Sequence, residues 1–141
     1  MIQLWTAMIS TLTNTLPDLP RKLQKREQSI TPRVLEWFNK NFPFSVALEI
    51  KATKTASIPP SALLPHQLQA LLAVQSEAGL THKISDAGRI RQPFDAFQMK
   101  KTRSFVVCVF LSHKVCLAID PAKWNGASIN STNQTFSIPL W

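Results

Sequence analysis

Ser45-Val46-Ala47-Leu48-Glu49-Ile50-Lys51 is a run of small and apolar residues that closes on two charges. At a period of two it reads as a strand with Val46, Leu48 and Ile50 on one face. Glu49 and Lys51 share the other. Neither a carboxylate nor an ammonium leaves water cheaply, so packing alone rarely keeps both inside a strand. The plain reading is a strand end whose charges reach solvent. The surrounding chain decides whether the pair has a chemical use instead.

The chain has 141 residues, enough for one core. Its hydrophobic content of 45% is that of an ordinary globular protein. Sixteen Lys and Arg against eight Asp and Glu leave a net charge of +8. Fourteen of the sixteen basic residues fall within 21–54 and 83–103. Clustering of that kind points to a polyanion, nucleic acid ahead of membrane or acidic protein. Cys108 and Cys116 sit in apolar, strand-like sequence and read as reduced core residues of a cytoplasmic protein, although a hairpin can also set them facing. Two cysteines and three scattered histidines do not make a zinc site. Three glycines are too few for a phosphate-cradling loop or a dinucleotide fingerprint.

Residues 1–20 are apolar but broken by Gln, Thr and Asn, too short and polar to span a bilayer. They lack a basic start and a small-residue cleavage site, so a signal peptide is not expected. With the basic run 21–28 they read as an extension over residues 1–30. Thr31-Pro32 looks like a helix start, with Thr as cap and Pro in the first turn. Val34, Leu35, Trp37 and Phe38 supply its apolar side, and Asn41 and Pro43 end it. After the 45–51 strand, residues 52–61 form a polar loop with Lys54. A second helix is expected over 65–78, ending at Gly79, with Leu68, Leu71 and Leu72 inward and Gln67 near the buried side. His82–Asp86 and Phe94–Met99 read as two strands of a hairpin whose basic turn carries Arg89 and Arg91. An Asp95 inside such an apolar strand needs a partner or a metal. Ser104–Leu111, apolar throughout, reads as a central strand, and Lys114–Asp120 returns from it. A domain over 31–124 follows, then a polar tail over 125–141 that is loosely held except for its apolar end, Phe136–Trp141.

Glu49-Ile50-Lys51, the helix with His66-Gln67, and Pro93-Phe94-Asp95 together resemble the PD-(D/E)xK nuclease superfamily, in particular its small phage-type and Holliday-junction-resolvase-like members. The resemblance covers roughly residues 31–120. It implies an α/β domain of the restriction-endonuclease-like class, a mixed β-sheet flanked by helices. It also implies a cytoplasmic enzyme of a bacterial cell or phage-infected host. In the family the Pro-Asp element precedes Glu-x-Lys; here Pro-x-Asp follows it, and Phe94 stands after the proline. A permutation that brings the hairpin beside Glu49 restores the constellation. Otherwise the second carboxylate falls to Asp86 or Glu36.

Phosphodiester hydrolysis needs the phosphate charge offset and a nucleophile made from water. Mg²⁺ serves both and takes one or two carboxylates plus water and substrate oxygens. The resemblance assigns the metal, Mg²⁺ with Mn²⁺ as substitute, to Glu49, Asp95 and the Ile50 carbonyl. Lys51 would hold the attacking water or offset developing charge, and Gln67 would orient it. Lys54, Lys83, Arg89 and Arg91 would bind DNA phosphates. The expected function is Mg²⁺-dependent DNA cleavage, extended by the resemblance to branched DNA. Its rivals are a basic nucleic-acid-binding protein without catalysis, in which Glu49 is structural, and a small interaction protein whose charge keeps it soluble. Junction resolution would require a homodimer, because one chain carries one candidate site.

Overall fold

This computed structural model describes residues 21–85, 93–132 and 136–141, with side chains from Ser29 onward. Strand β1 (Val46–Thr53) forms where the apolar alternation demands it. It runs parallel to β5 (Arg103–Phe110), in register from Val46 opposite Arg103 to Thr53 opposite Phe110. β5 continues antiparallel into β6 (Val115–Ile119), and β6 pairs antiparallel with β8 (Phe136–Ser137). The order β1-β5-β6-β8 makes a mixed sheet in which β5 is central, as its unbroken apolar run requires.

Helix α1 (Arg21–Asn41) covers one face of the sheet and α2 (Pro65–Gln75) the other. Ile30, Val34, Leu35 and Phe38 of α1 pack on Val46, Leu48, Ile50 and Ala52. Arg33 donates to the Leu140 carbonyl and lies over the Trp141 ring, tying the last residues to this helix. On the opposite face Leu71 and Val74 of α2 meet Ala47, Val106, Cys108 and Phe110.

The expected start of α1 at Thr31 is corrected by ten residues. The run 21–28 is rich in good helix formers, so the helix extends through it. Pro32 then lies inside the helix, on its exposed side, where water can take the carbonyl that a missing N–H leaves unbonded. Thr31 is a buried helical residue rather than a cap.

On α2 Gln67 and Leu71 are buried as expected, but Val74 is buried in place of Leu72, which is 38% exposed. The helix closes at Ser76, three residues before Gly79. Gly79 has φ +74, and a Cβ there would stand 2.4 Å from the Met99 carbonyl oxygen.

Two small antiparallel pairs flank the sheet. β2 (Ser57–Ile58) pairs with β7 (Ile129–Asn130), and β3 (Leu80–Lys83) with β4 (Ala96–Met99). Residues 129–130 therefore belong to the packed fold, with Ile129 buried, and correct the expectation of loosely held chain there; the apolar end is packed as expected, with Ile138 buried. Cys108 and Cys116 are free and belong to opposite faces of the sheet, so they cannot bridge. Burial pushes both thiols up to about 12. Among the described residues no helix is long and apolar enough to cross a membrane.

Candidate active site

Glu49 and Lys51 do share a face of β1, but that face is inside. Their side chains are 2% and 3% exposed, beneath α2. The strand does not end at Lys51 as expected; it runs on to Thr53. Lys51 Nζ lies 3.1 Å from Glu49 Oε1, a buried ion pair. Gln67 Nε2 donates to the same oxygen at 3.0 Å. The other end of the Gln67 amide accepts from the Leu64 backbone N–H at 3.0 Å. This is half of a capping box: Pro65 has no N–H to satisfy, and Gln67 reaches back from the third helical position. One side chain thus fixes the start of α2 and the orientation of Glu49.

Glu49 Oε2 is buried and has no hydrogen-bond partner. Burial raises the Glu49 carboxyl above its ordinary range; Lys51, the bond from Gln67 and the more distant charge of His66 oppose that rise. Glu49 and Gln67 line a pocket of about 90 Å³ with Ala47, Ala70, Leu71, Val74, Leu80 and His82. An unsatisfied carboxylate oxygen beside a small pocket is a candidate donor for a hard cation, which takes oxygen donors and water. Lys51 sits opposite Cys108 in the ladder, on the same face.

The remaining candidates divide. Asp95 lies in the turn before β4, exposed, and its backbone carbonyl accepts from Ile84 N–H at 2.8 Å. The expectation of an Asp enclosed in an apolar strand is corrected, because the strand begins only at Ala96. Asp95 is not one of the pocket's lining residues. Among the described residues no three His, Cys, Asp or Glu side chains gather as a metal cluster. Glu36 is excluded as the second carboxylate. It is an exposed residue of α1, paired with Lys40 at 3.0 Å, on the far face of the sheet.

The Ile50 side chain belongs to the α1-facing core. Its strand is an edge strand among the described residues, so one row of β1 backbone groups faces away from β5. Lys54 is exposed just beyond β1, in a tight turn where Thr55 N–H donates to Thr53 Oγ1 at 3.1 Å. Lys83 is exposed on the outward face of β3. Asp86, Arg89, Arg91 and the segment 1–20 lie outside the described residues.

His82 was not singled out from the sequence. Alternation alone does not say which face of a four-residue strand is inward. Packing decides it: Leu80 and His82 are half-buried, while Thr81 and Lys83 are exposed. No family model, curated protein or solved structure matches the chain.

Proposed function

We propose that the chain is a metal-dependent DNA endonuclease of the PD-(D/E)xK kind, with a restriction-endonuclease-like fold. The observation that carries this reading is the Glu49 carboxylate: buried, held on one oxygen by Lys51 and Gln67, and unsatisfied on the other. A protein rarely buries a charge with half its bonding capacity unused unless something else takes it up. The parallel β1-α2-β5 unit carrying Glu-x-Lys and Gln, and the surplus of basic residues, support the same reading.

Glu49 would hold the metal through Oε2. When bound, Mg²⁺ or Mn²⁺ supplies charge neutralisation and a more acidic water. Lys51, anchored against Glu49 Oε1, would offset negative charge developing on the phosphate. Gln67 keeps its amide hydrogen on Glu49, so the carboxylate cannot swing away. The apolar walls from Ala47, Ala70, Leu71 and Val74 limit the access of bulk water, which strengthens each of these interactions. Asp95 and Asp86 remain the candidates for a second carboxylate, and Lys54, Lys83, Arg89 and Arg91 for DNA phosphates.

The exposure of Asp95 favours a second reading, a basic DNA-binding protein in which the Glu49–Lys51–Gln67 cluster is structural. The two are separated by incubating the purified chain with linear, nicked and four-way DNA, with and without Mg²⁺. Metal-dependent cleavage lost in Glu49→Gln, with binding retained, supports the nuclease. Binding without cleavage under every metal condition supports the alternative. Cleavage of four-way DNA in paired symmetric cuts would add the homodimer, for which exposed Phe44, Phe136 and Trp141 are available apolar surface.

A further inference from the structure

The pocket above Glu49 has a third polar wall that the family resemblance does not account for. Gln67 is spent on Glu49 and on Leu64 N–H. Among the described residues the other polar side chain lining the pocket is His82. It comes from β3, on the face it shares with Leu80, which packs into the α2-side core. Directly across the ladder is Phe97, whose ring centroid is 5.4 Å from that of His82. The ring is thus half-buried and braced against an aromatic neighbour, not a freely rotating surface imidazole.

The geometry points to His82 as an imidazole donor that shares a divalent cation with Glu49 and tilts the site toward Mn²⁺ over Mg²⁺. Two independent features meet here: a nine-tenths-buried carboxylate with an unpartnered oxygen, and an imidazole on the same pocket of about 90 Å³. Carboxylate oxygens suit Mg²⁺ and Mn²⁺ alike, whereas an imidazole nitrogen favours the softer ion. Two protein donors suffice, because waters and substrate oxygens complete the shell of such ions. Lys51 does not compete: an ammonium offers no lone pair, and it is held at Oε1. His66, also near Glu49, is exposed in the first turn of α2 and does not line the pocket.

This inference rests on Glu49 as the metal-holding group but needs no DNA cleavage. The full chain is titrated with Mn²⁺ alone, followed by the loss of the free-ion paramagnetic resonance signal, and Mg²⁺ is measured by competition. Wild type is expected to bind Mn²⁺ more tightly than Mg²⁺. His82→Phe keeps the packing against Phe97 and is expected to weaken Mn²⁺ about tenfold or more, the scale on which even indirect metal supports act. Its Mg²⁺ affinity should stay close to wild type. Glu49→Gln should lose both ions. A second readout covers a variant that fails to fold: in the wild type, substoichiometric Mn²⁺ should broaden the ring protons of His82 ahead of those of His66 and His113. Equal Mn²⁺ affinity in His82→Phe, no Mn²⁺ preference in wild type, or broadening of His66 first would overturn the assignment. If the Mn²⁺ preference holds while no DNA is cut, the nuclease reading fails and this one stands.

Discussion

At the scale of single residues, the buried pair is an energetic liability that a functional site explains. Taking two charges out of water costs several kcal/mol per ion, and their attraction repays it only with good geometry. Here the pair is almost wholly buried and Glu49 Oε2 is unsatisfied. Lys51→Met should destabilise the chain by about 3–5 kcal/mol, because it leaves Glu49 buried without its counter-charge. Glu49→Gln with Lys51→Met should recover most of that loss while having no cleavage activity. Thermal melts of the three proteins form the test; a double variant no more stable than Lys51→Met would mean that the charges are not the source of the cost. The pH dependence has a definite sign. Glu49 has a folded-state pKa above its ordinary 4.5, chiefly from burial, so the folded chain holds that proton more tightly than the unfolded one. Its contribution favours folding below 4.5 and is lost as pH rises through the folded pKa. The double variant should lack this component of the stability–pH curve. Glu49, Lys51 and Gln67 could be brought together from sequence because a period of two and the helix that follows the strand fix their sides. His82 could not, since its direction depends on β3 packing against α2.

At the scale of elements, the same contrast between local pattern and packing recurs. β1 and β5 were readable because alternation and an unbroken apolar run are strong signals. The start of α1 was not, because Thr-Pro has the chemistry of a helix start, and only packing of the whole amphipathic helix shows that it continues through the proline. On α2 the expected burial of Gln67 and Leu71 holds, while Val74 takes the inward place expected of Leu72, because apolarity alone does not rank neighbouring positions on one helix face. Gly79 joins α2 to the β3–β4 pair, and its role is testable. Gly79→Ala forces a left-handed backbone on a residue with a Cβ and drives that atom toward the Met99 carbonyl at 2.4 Å, and backbone cannot swing aside as a side-chain tip can. A loss of about 2 kcal/mol, or a Tm lower by roughly 5 °C, is expected. Met99 ends β4, whose partner β3 carries His82, so Mn²⁺ affinity should fall in the same variant. A Tm fall with unchanged Mn²⁺ affinity would separate the hairpin's packing from the metal pocket.

At the scale of the whole molecule, a net charge of +8 attracts a polyanion, but attraction alone does not orient it. Orientation depends on which basic groups stand on the side of the candidate site. Lys54 is exposed just past the end of β1, and Lys83 is exposed on β3 next to His82. Lys40 offers the natural control: it is exposed, but it belongs to α1 on the opposite face of the sheet and is paired with Glu36. Each phosphate contact adds about 0.9 to the slope of log affinity against log salt on duplex DNA. Lys54→Ala with Lys83→Ala should therefore make the slope shallower by up to about two, with little change in Tm, because neither side chain is buried. Lys40→Ala should leave the slope where it was. Equal losses in the two proteins would mean that DNA is held by charge spread over the molecule, and the site at Glu49 would then have no claim to be where the backbone passes. A loss confined to Lys54 and Lys83 would put the DNA along the edge of β1 and across the pocket, with Glu49 beneath it.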